Sequence, residues 1–138
     1  MSIVLSSDPV PAPPALSSGE WGADVSFLGR VRDTEGGRRI TGIEYTAYPE
    51  MALRMLSQIV EEMQAAHGPH PVYLYHRTGF VAAGEPSILI TTGARHSRQA
   101  MEQCAEYLRR IKETVPIWKR PVFAESSNPA DSQDSSLH

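Results

Sequence analysis

The sequence predicts an α+β fold, a mostly antiparallel sheet with two main helices packed on it. Three observations predict it. Two long stretches, one opening at Tyr48 and one at Ser97, repeat apolar residues at helical spacing. Four shorter runs are alternating or continuously apolar, and the order along the chain is strand, strand, helix, strand, strand, helix. The connections carry Gly and Pro and read as hairpin-like. With 138 residues, 41% of them apolar, the chain holds material for one domain around one core.

Residues 1–18 carry Pro9, Pro11, Pro13 and Pro14 among serines and alanines, and they are expected to form an extended, flexible arm despite the short apolar stretch Ile3-Val4-Leu5. The folded unit is expected over 19–123. The run 23–28 alternates as a strand and ends at Gly29; the polar, Gly-containing stretch 30–39 reads as a mobile loop. Alternation resumes over 40–46. Tyr48-Pro49-Glu50 opens the first helix, with Met51, Met55, Ile59 and Met63 every four positions and Leu56 and Val60 beside them, and His67-Gly68-Pro69 ends it. Val72, Leu74 and His76 share one face of a third strand, 83–86 is a turn, and 87–92 is the most apolar strand. The second helix runs over about 97–115 and is stopped by Pro116. The tail 124–138, with five serines and two aspartates, has little to bury and is expected to be flexible.

A formal net charge of −3 excludes the global positive field that drives non-specific nucleic-acid binding, so anion recognition has to come from local clusters. One cysteine excludes a disulfide framework and a multi-thiolate zinc site, and fits a cytoplasmic protein. No stretch approaches the ~20 apolar residues of a membrane span, and no signal peptide is evident. Neither a metal nor a nucleotide motif occurs, and no cofactor is expected.

At helical spacing Ala100, Met101, Cys104, Leu108, Ile111 and Val115 share one apolar arc. Cys104 lies near its centre, where burial raises a thiol's pKa and denies access, so it reads as core and not as a nucleophile. On the opposite face Arg98 with Glu102, Glu106 with Arg110, and Arg109 with Glu113 are i,i+4 pairs of a solvated surface. Lys112 stands at the edge of the arc. The chain uses eleven arginines and only two lysines, Lys112 and Lys119. Both residue types hold an anion, but a lysine can also release a proton near neutral pH. The remaining bases fall in short groups at segment ends: Arg30 and Arg32, Arg38 and Arg39, His76-Arg77, Arg95-His96 and Lys119-Arg120. One anionic pocket collecting them is the functional reading; scattered surface charge is the plain one.

The order Phe27-Leu28-Gly29-Arg30-Val31-Arg32, then Glu44-Tyr45 with Tyr48-Pro49-Glu50-Met51, then His76-Arg77-Thr78-Gly79 with Gly84-Glu85, then His96, then Tyr107-Leu108 up to Lys112, and finally Val115-Pro116-Ile117-Trp118-Lys119-Arg120 resembles the molybdopterin synthase catalytic (large) subunit family over about residues 20–120. The resemblance implies an α/β-hammerhead type of α+β fold. It implies a homodimer that binds two ubiquitin-like sulfur-carrier small subunits, making a heterotetramer, with each carrier's thiocarboxylated Gly-Gly tail giving sulfur to cyclic pyranopterin monophosphate. By position it makes Lys112 the principal catalytic lysine and Lys119 the second, with Lys119 and Arg120 also contacting substrate. Arg30, Val31 and Arg32 form a substrate-binding strand end, and His96 belongs to an anion-binding turn. Two positions depart from the family pattern: Ser97 stands where an arginine is usual, and Pro121 where an acidic residue is usual. These departures leave a carrier-binding module of weakened activity as the alternative.

Overall fold

The computed structural model describes residues 2–16, 19–124 and 136–137. Nine strands and two helices follow in the order β1 (Ser2–Ser6), β2 (Ala23–Arg30), β3 (Thr34–Glu35), β4 (Arg38–Ala47), α1 (Pro49–His67), β5 (Val72–Arg77), β6 (Gly79–Ala82), β7 (Pro86–Ala94), α2 (Ser97–Thr114), β8 (Ile117–Phe123) and β9 (Ser136–Leu137) among the described residues. They make two sheets. The first has the order β1-β5-β7-β2 and is antiparallel except for the β1–β5 pair; the second has the order β3-β4-β8-β9, with β6 on β4, and is antiparallel throughout.

The expected α+β class is what forms, with two helices on a mostly antiparallel sheet. α1 starts with Pro49 in its first turn, where the missing N–H costs nothing, and ends at Gly68, whose φ of 82° suits glycine. Its buried stripe is Ala52, Leu56, Ile59, Val60 and Met63; Met51 is exposed and Met55 only half-buried, so the buried face starts one residue later than the methionine spacing suggests. α2 buries Ala100, Gln103, Cys104, Tyr107 and Ile111, while Met101 points outward. Gln103 is inside because its Nε2 donates to Thr92 Oγ1 and to the Gly93 carbonyl, both at 3.1 Å.

Two expectations are corrected. The supposed flexible arm is a strand at Ser2–Ser6: it pairs with β5, Ile3 and Leu5 pack against the core, and the Thr78 N–H, Arg77 Nη2 and Tyr75 hydroxyl donate to the carbonyls of Ser6, Ser7 and Asp8. Three apolar residues suffice when β5 offers an open edge. The loop over 30–39 contains a hairpin, Thr34–Glu35 against Arg38 and Arg39, turned by Gly36 and Gly37 at φ 59° and 80°. Past Pro116, inside the expected folded unit, the chain forms a strand not marked in the sequence, β8 beside β4, running through Pro121, which lies opposite Ile43. Among the described residues β9 covers the other edge of β8 at Trp118 and Lys119, and no ladder partner lies beside Pro121 on that side. Most of the tail over 124–138 lies outside the described residues, apart from Ala124 and the short β9.

Candidate functional site

Where the two sheets meet the C-terminal half of α2, a cavity of about 410 Å³ is lined by Phe27 to Arg32, Glu35, Ile43, Tyr45, Ser87, Ile88, Lys112 and Lys119. The four cations arrive by three routes. Arg30 and Arg32 come from the end of β2, where the pairing with β7 shifts register between Gly29 and Arg30. Such a bulge bends the strand and re-aims the side chains beyond it. Gly29 permits it, since a Cβ there would lie 2.6 Å from Ile88 Cγ2. The Arg30 guanidinium donates to the Gly84 carbonyl at 3.0 Å, and Val31 exchanges two backbone bonds with the same turn, through Glu85 O at 3.0 Å and Gly84 N at 2.7 Å. Lys112 comes from the exposed flank of the last turns of α2, and Lys119 from the inward face of β8.

Four cationic side chains thus share the cavity with one carboxylate, Glu35, among the described residues. Such a set of donors is chemically suited to an anion with several oxygens. The neutral wall of the cavity is Tyr45 and Ser87. A hydrogen bond joins the two, and burial of Tyr45, with Glu35 adding a smaller push, holds its phenol above the usual range and therefore uncharged. Behind Tyr45 the His76 ring packs edge-on at 5.3 Å; burial lowers its pKa to about 4, and its Nδ1 is 2.7 Å from the Arg77 carbonyl.

The other expected bases are not gathered here. His96 is exposed at the N-cap of α2, sixteen residues before Lys112, about 24 Å away along the helix axis at 1.5 Å per residue. Arg95 borders a separate cavity of about 260 Å³ with Trp21, His70 and Gln99. Arg120 is exposed on the β8 face opposite to that of Lys119, across from Glu44. Val31 borders the cavity but is 3% exposed, with its backbone committed to the turn, so it supports the site more than it offers contacts. Arg38 stacks over Phe123 at 4.1 Å, and Arg77 is buried against Ser7 O and 3.6 Å from Glu85. Cys104 is core, its thiol pushed up by burial. Glu35, Tyr45 and Ser87 are not among the expected cavity residues: nothing local marks Glu35 and Ser87, Tyr45 stands out only as part of the Glu44-Tyr45 motif, and each reaches the cavity through strand pairing.

The MoaE protein family model matches residues 7–114, most of the chain. The chain belongs to the MoaE family. Curated relatives of this MoaE-family chain include the molybdopterin synthase catalytic subunits of Oryza sativa subsp. indica, 41% identical over 74% of this chain and 53% of the relative, and of Pyrococcus abyssi, 38% identical over 80% of this chain and 74% of the relative. The chain therefore spans about half the length of the rice relative. Among solved structures, molybdopterin synthase from Staphylococcus aureus superposes with a TM-score of 0.75 at 31% identity, covering 80% of each chain. The complex of subunits 1 and 2 of molybdopterin-converting factor from Helicobacter pylori 26695 shares the fold, with a TM-score of 0.60 at 22% identity over 79% of this chain and 75% of that one. In this MoaE-family chain the departure at Ser97 is the exposed first residue of α2, flanked by Arg95 and Arg98, and the departure at Pro121 leaves β8 continuous.

Proposed function

We propose that this chain is the catalytic subunit of a molybdopterin synthase, a sulfurtransferase of molybdenum cofactor biosynthesis. A small ubiquitin-like subunit brings a thiocarboxylated Gly-Gly tail, and sulfur passes to cyclic pyranopterin monophosphate in two rounds, each leaving the tail as a carboxylate. The observation that carries this reading is the convergence of Lys112 and Lys119, the chain's two lysines, with Arg30 and Arg32 on one cavity. Cys104 is buried, which supports a sulfur donor outside the chain.

In this reading Arg30, Arg32 and Lys119 hold the phosphate and pterin oxygens by charge-assisted hydrogen bonds. Lys112 acts on the carbonyl of the tail–substrate intermediate or carries its proton. Bringing tail and pterin together supplies much of the acceleration, since well-oriented reactants gain about 7–11 kcal/mol. His96 and Arg120, which both lie outside the cavity of their own chain, complete the substrate contacts from a second copy. Because His96 lies at the far end of α2, its part requires a second copy of the chain, which fits the homodimer and a heterotetramer with two small subunits. A cytoplasmic site of action goes with this reading. The small-subunit partner is further supported by the fold shared with the Helicobacter pylori complex.

The test is reconstitution: the chain, a thiocarboxylated carrier and cyclic pyranopterin monophosphate are mixed and molybdopterin is measured. Formation of product by the unaltered chain supports the assignment. A tight complex with the carrier and no product would overturn the enzymatic reading in favour of a binding module.

A further inference from the structure

β4 and β8 pair so that Tyr45 and Lys119 are Cα partners, directly opposite each other, and both line the cavity. Side chains of opposite residues project from the same face of the pair, with Cβ atoms about 4.5–5.5 Å apart. The phenol therefore stands on the same face of the sheet as the flexible four-carbon stem of Lys119, directly beside it across the β4–β8 pair. Two further contacts restrain the phenol itself. Ser87, on β7 of the other sheet, hydrogen-bonds it, and His76, on β5, braces its ring from behind. Tyr45 thus ties the second sheet, which carries Lys119, to the first, which carries Arg30. A lysine in an open cationic cavity has many rotamers of similar energy, and fixing one of them requires a wall on at least one side.

We infer that Tyr45 is a positioning residue of this site: bridged to Ser87, it confines the Lys119 ammonium group to the part of the cavity faced by Arg30, Arg32, Glu35 and Lys112. Tyr45 acts through Lys119 and is not assigned any step of bond making. This rests on the sulfur-transfer reading only for its consequence in turnover; the confinement itself is a property of the free chain.

The two lysines make the test direct. The full chain is labelled with an amine-reactive acylating reagent, and the rates at Lys119 and Lys112 are followed separately by mass spectrometry of the peptides. In Tyr45→Phe, which keeps the ring and removes the bridge to Ser87, the ratio of the Lys119 rate to the Lys112 rate changes several-fold while Lys112 itself reacts as before. Ser87→Ala, made from the other side of the bridge, shifts the ratio in the same direction. Thermal unfolding midpoints of both variants checked against the unaltered chain separate this from loosened packing, which would alter both lysines together. In reconstituted turnover Tyr45→Phe lowers kcat several-fold more than it changes KM for the pterin, and has no further effect in a Lys119→Ala background. A labelling ratio equal to that of the unaltered chain in both variants overturns the inference. If the ratio responds but the unaltered chain makes no product, the positioning role stands and the proposed reaction falls.

Discussion

The two ends of α2 carry similar chemistry in sequence and different chemistry in space. At the N-terminal end Arg95, His96 and Arg98 crowd around an exposed helix start, and His96 has an N–H-rich helix terminus beside it. At the C-terminal end there is one cation, Lys112, in the last turn. Yet the C-terminal end is the one where a cavity collects four cations, because β2 bulges toward it and β8 turns back across it. A local cluster of charge is thus a poor guide to a site, and what gathers cations is convergence of elements distant in sequence. Arg109 and Arg110, in the same half of α2 as Lys112, make the point again: Arg109 pairs with Glu113 at 3.0 Å, Arg110 with Glu106 at 2.7 Å and with Glu62 of α1 at 3.6 Å, and neither lines the cavity of Lys112.

The sharpest way to break this comparison is to remove one charge at each end. In reconstituted turnover, Lys112→Ala is expected to lose about 10²–10⁴-fold, the usual range for a lost acid–base group. With His96→Ala impaired as well, mixing the two variants under conditions that exchange subunits restores part of the activity, since mixed dimers contain one site with both residues intact. No recovery on mixing would mean that His96 does not serve the cavity of a second copy.

The brace behind the cavity predicts a pH effect on stability. His76 has a folded pKa of about 4 against 6.5 for an ordinary histidine. Between these values the unfolded chain holds a proton that the folded chain refuses, so stability falls as pH drops from about 6.5 to 4 and is unaffected by this group above that window. The loss is about 3 kcal/mol in size. Urea unfolding at pH 7 and pH 4.5 should show a steeper decline for the unaltered chain than for His76→Gln; parallel declines would assign the acid sensitivity elsewhere.

A smaller effect is expected from Gly29→Ala, which sets a Cβ 2.6 Å from Ile88 Cγ2 at the bulge. Overpacking of this kind costs about 1–3 kcal/mol. Turnover should fall along with stability, because Arg30 and Arg32 lie just beyond the bulge, whereas Arg95→Ala at the other end should leave stability unchanged. The smallest effect is that of Glu113→Gln. Its partner Arg109 and the carboxylate are both more than half exposed, and exposed i,i+4 pairs contribute about 0.3–0.5 kcal/mol. A larger drop in the thermal midpoint would mean that the solvated face of α2 does more than cover the helix.

Much of the fold could be read locally. Both helices, the strands over 23–28, 40–46, 72–76 and 87–92, and the burial of Cys104 follow from periodicity, because an apolar stripe leaves no other stable arrangement. β1 and β8 could not be read this way. Ile3-Val4-Leu5 is too short to declare itself without the open edge of β5, and the prolines at 116 and 121 disguise a strand that β4 makes possible. The site divides in the same manner. Lys112 and Lys119 stand out as the two lysines among eleven arginines, and the run around them carries the family resemblance, whereas Glu35 and Ser87 carry no local mark and Tyr45 only its place in the Glu44-Tyr45 motif.

By itself, then, the sequence determined the helices, the central strands, the class of fold and the pair of lysines, since each depends on residues a few positions apart. Only the tertiary structure decided which charges meet, that Tyr45 faces Lys119 and that His96 does not share their cavity. The physical reason is register. A side chain's face and neighbours in a sheet depend on which strand lies beside it and at what offset, and a shift of one residue would turn every one of them to the opposite side.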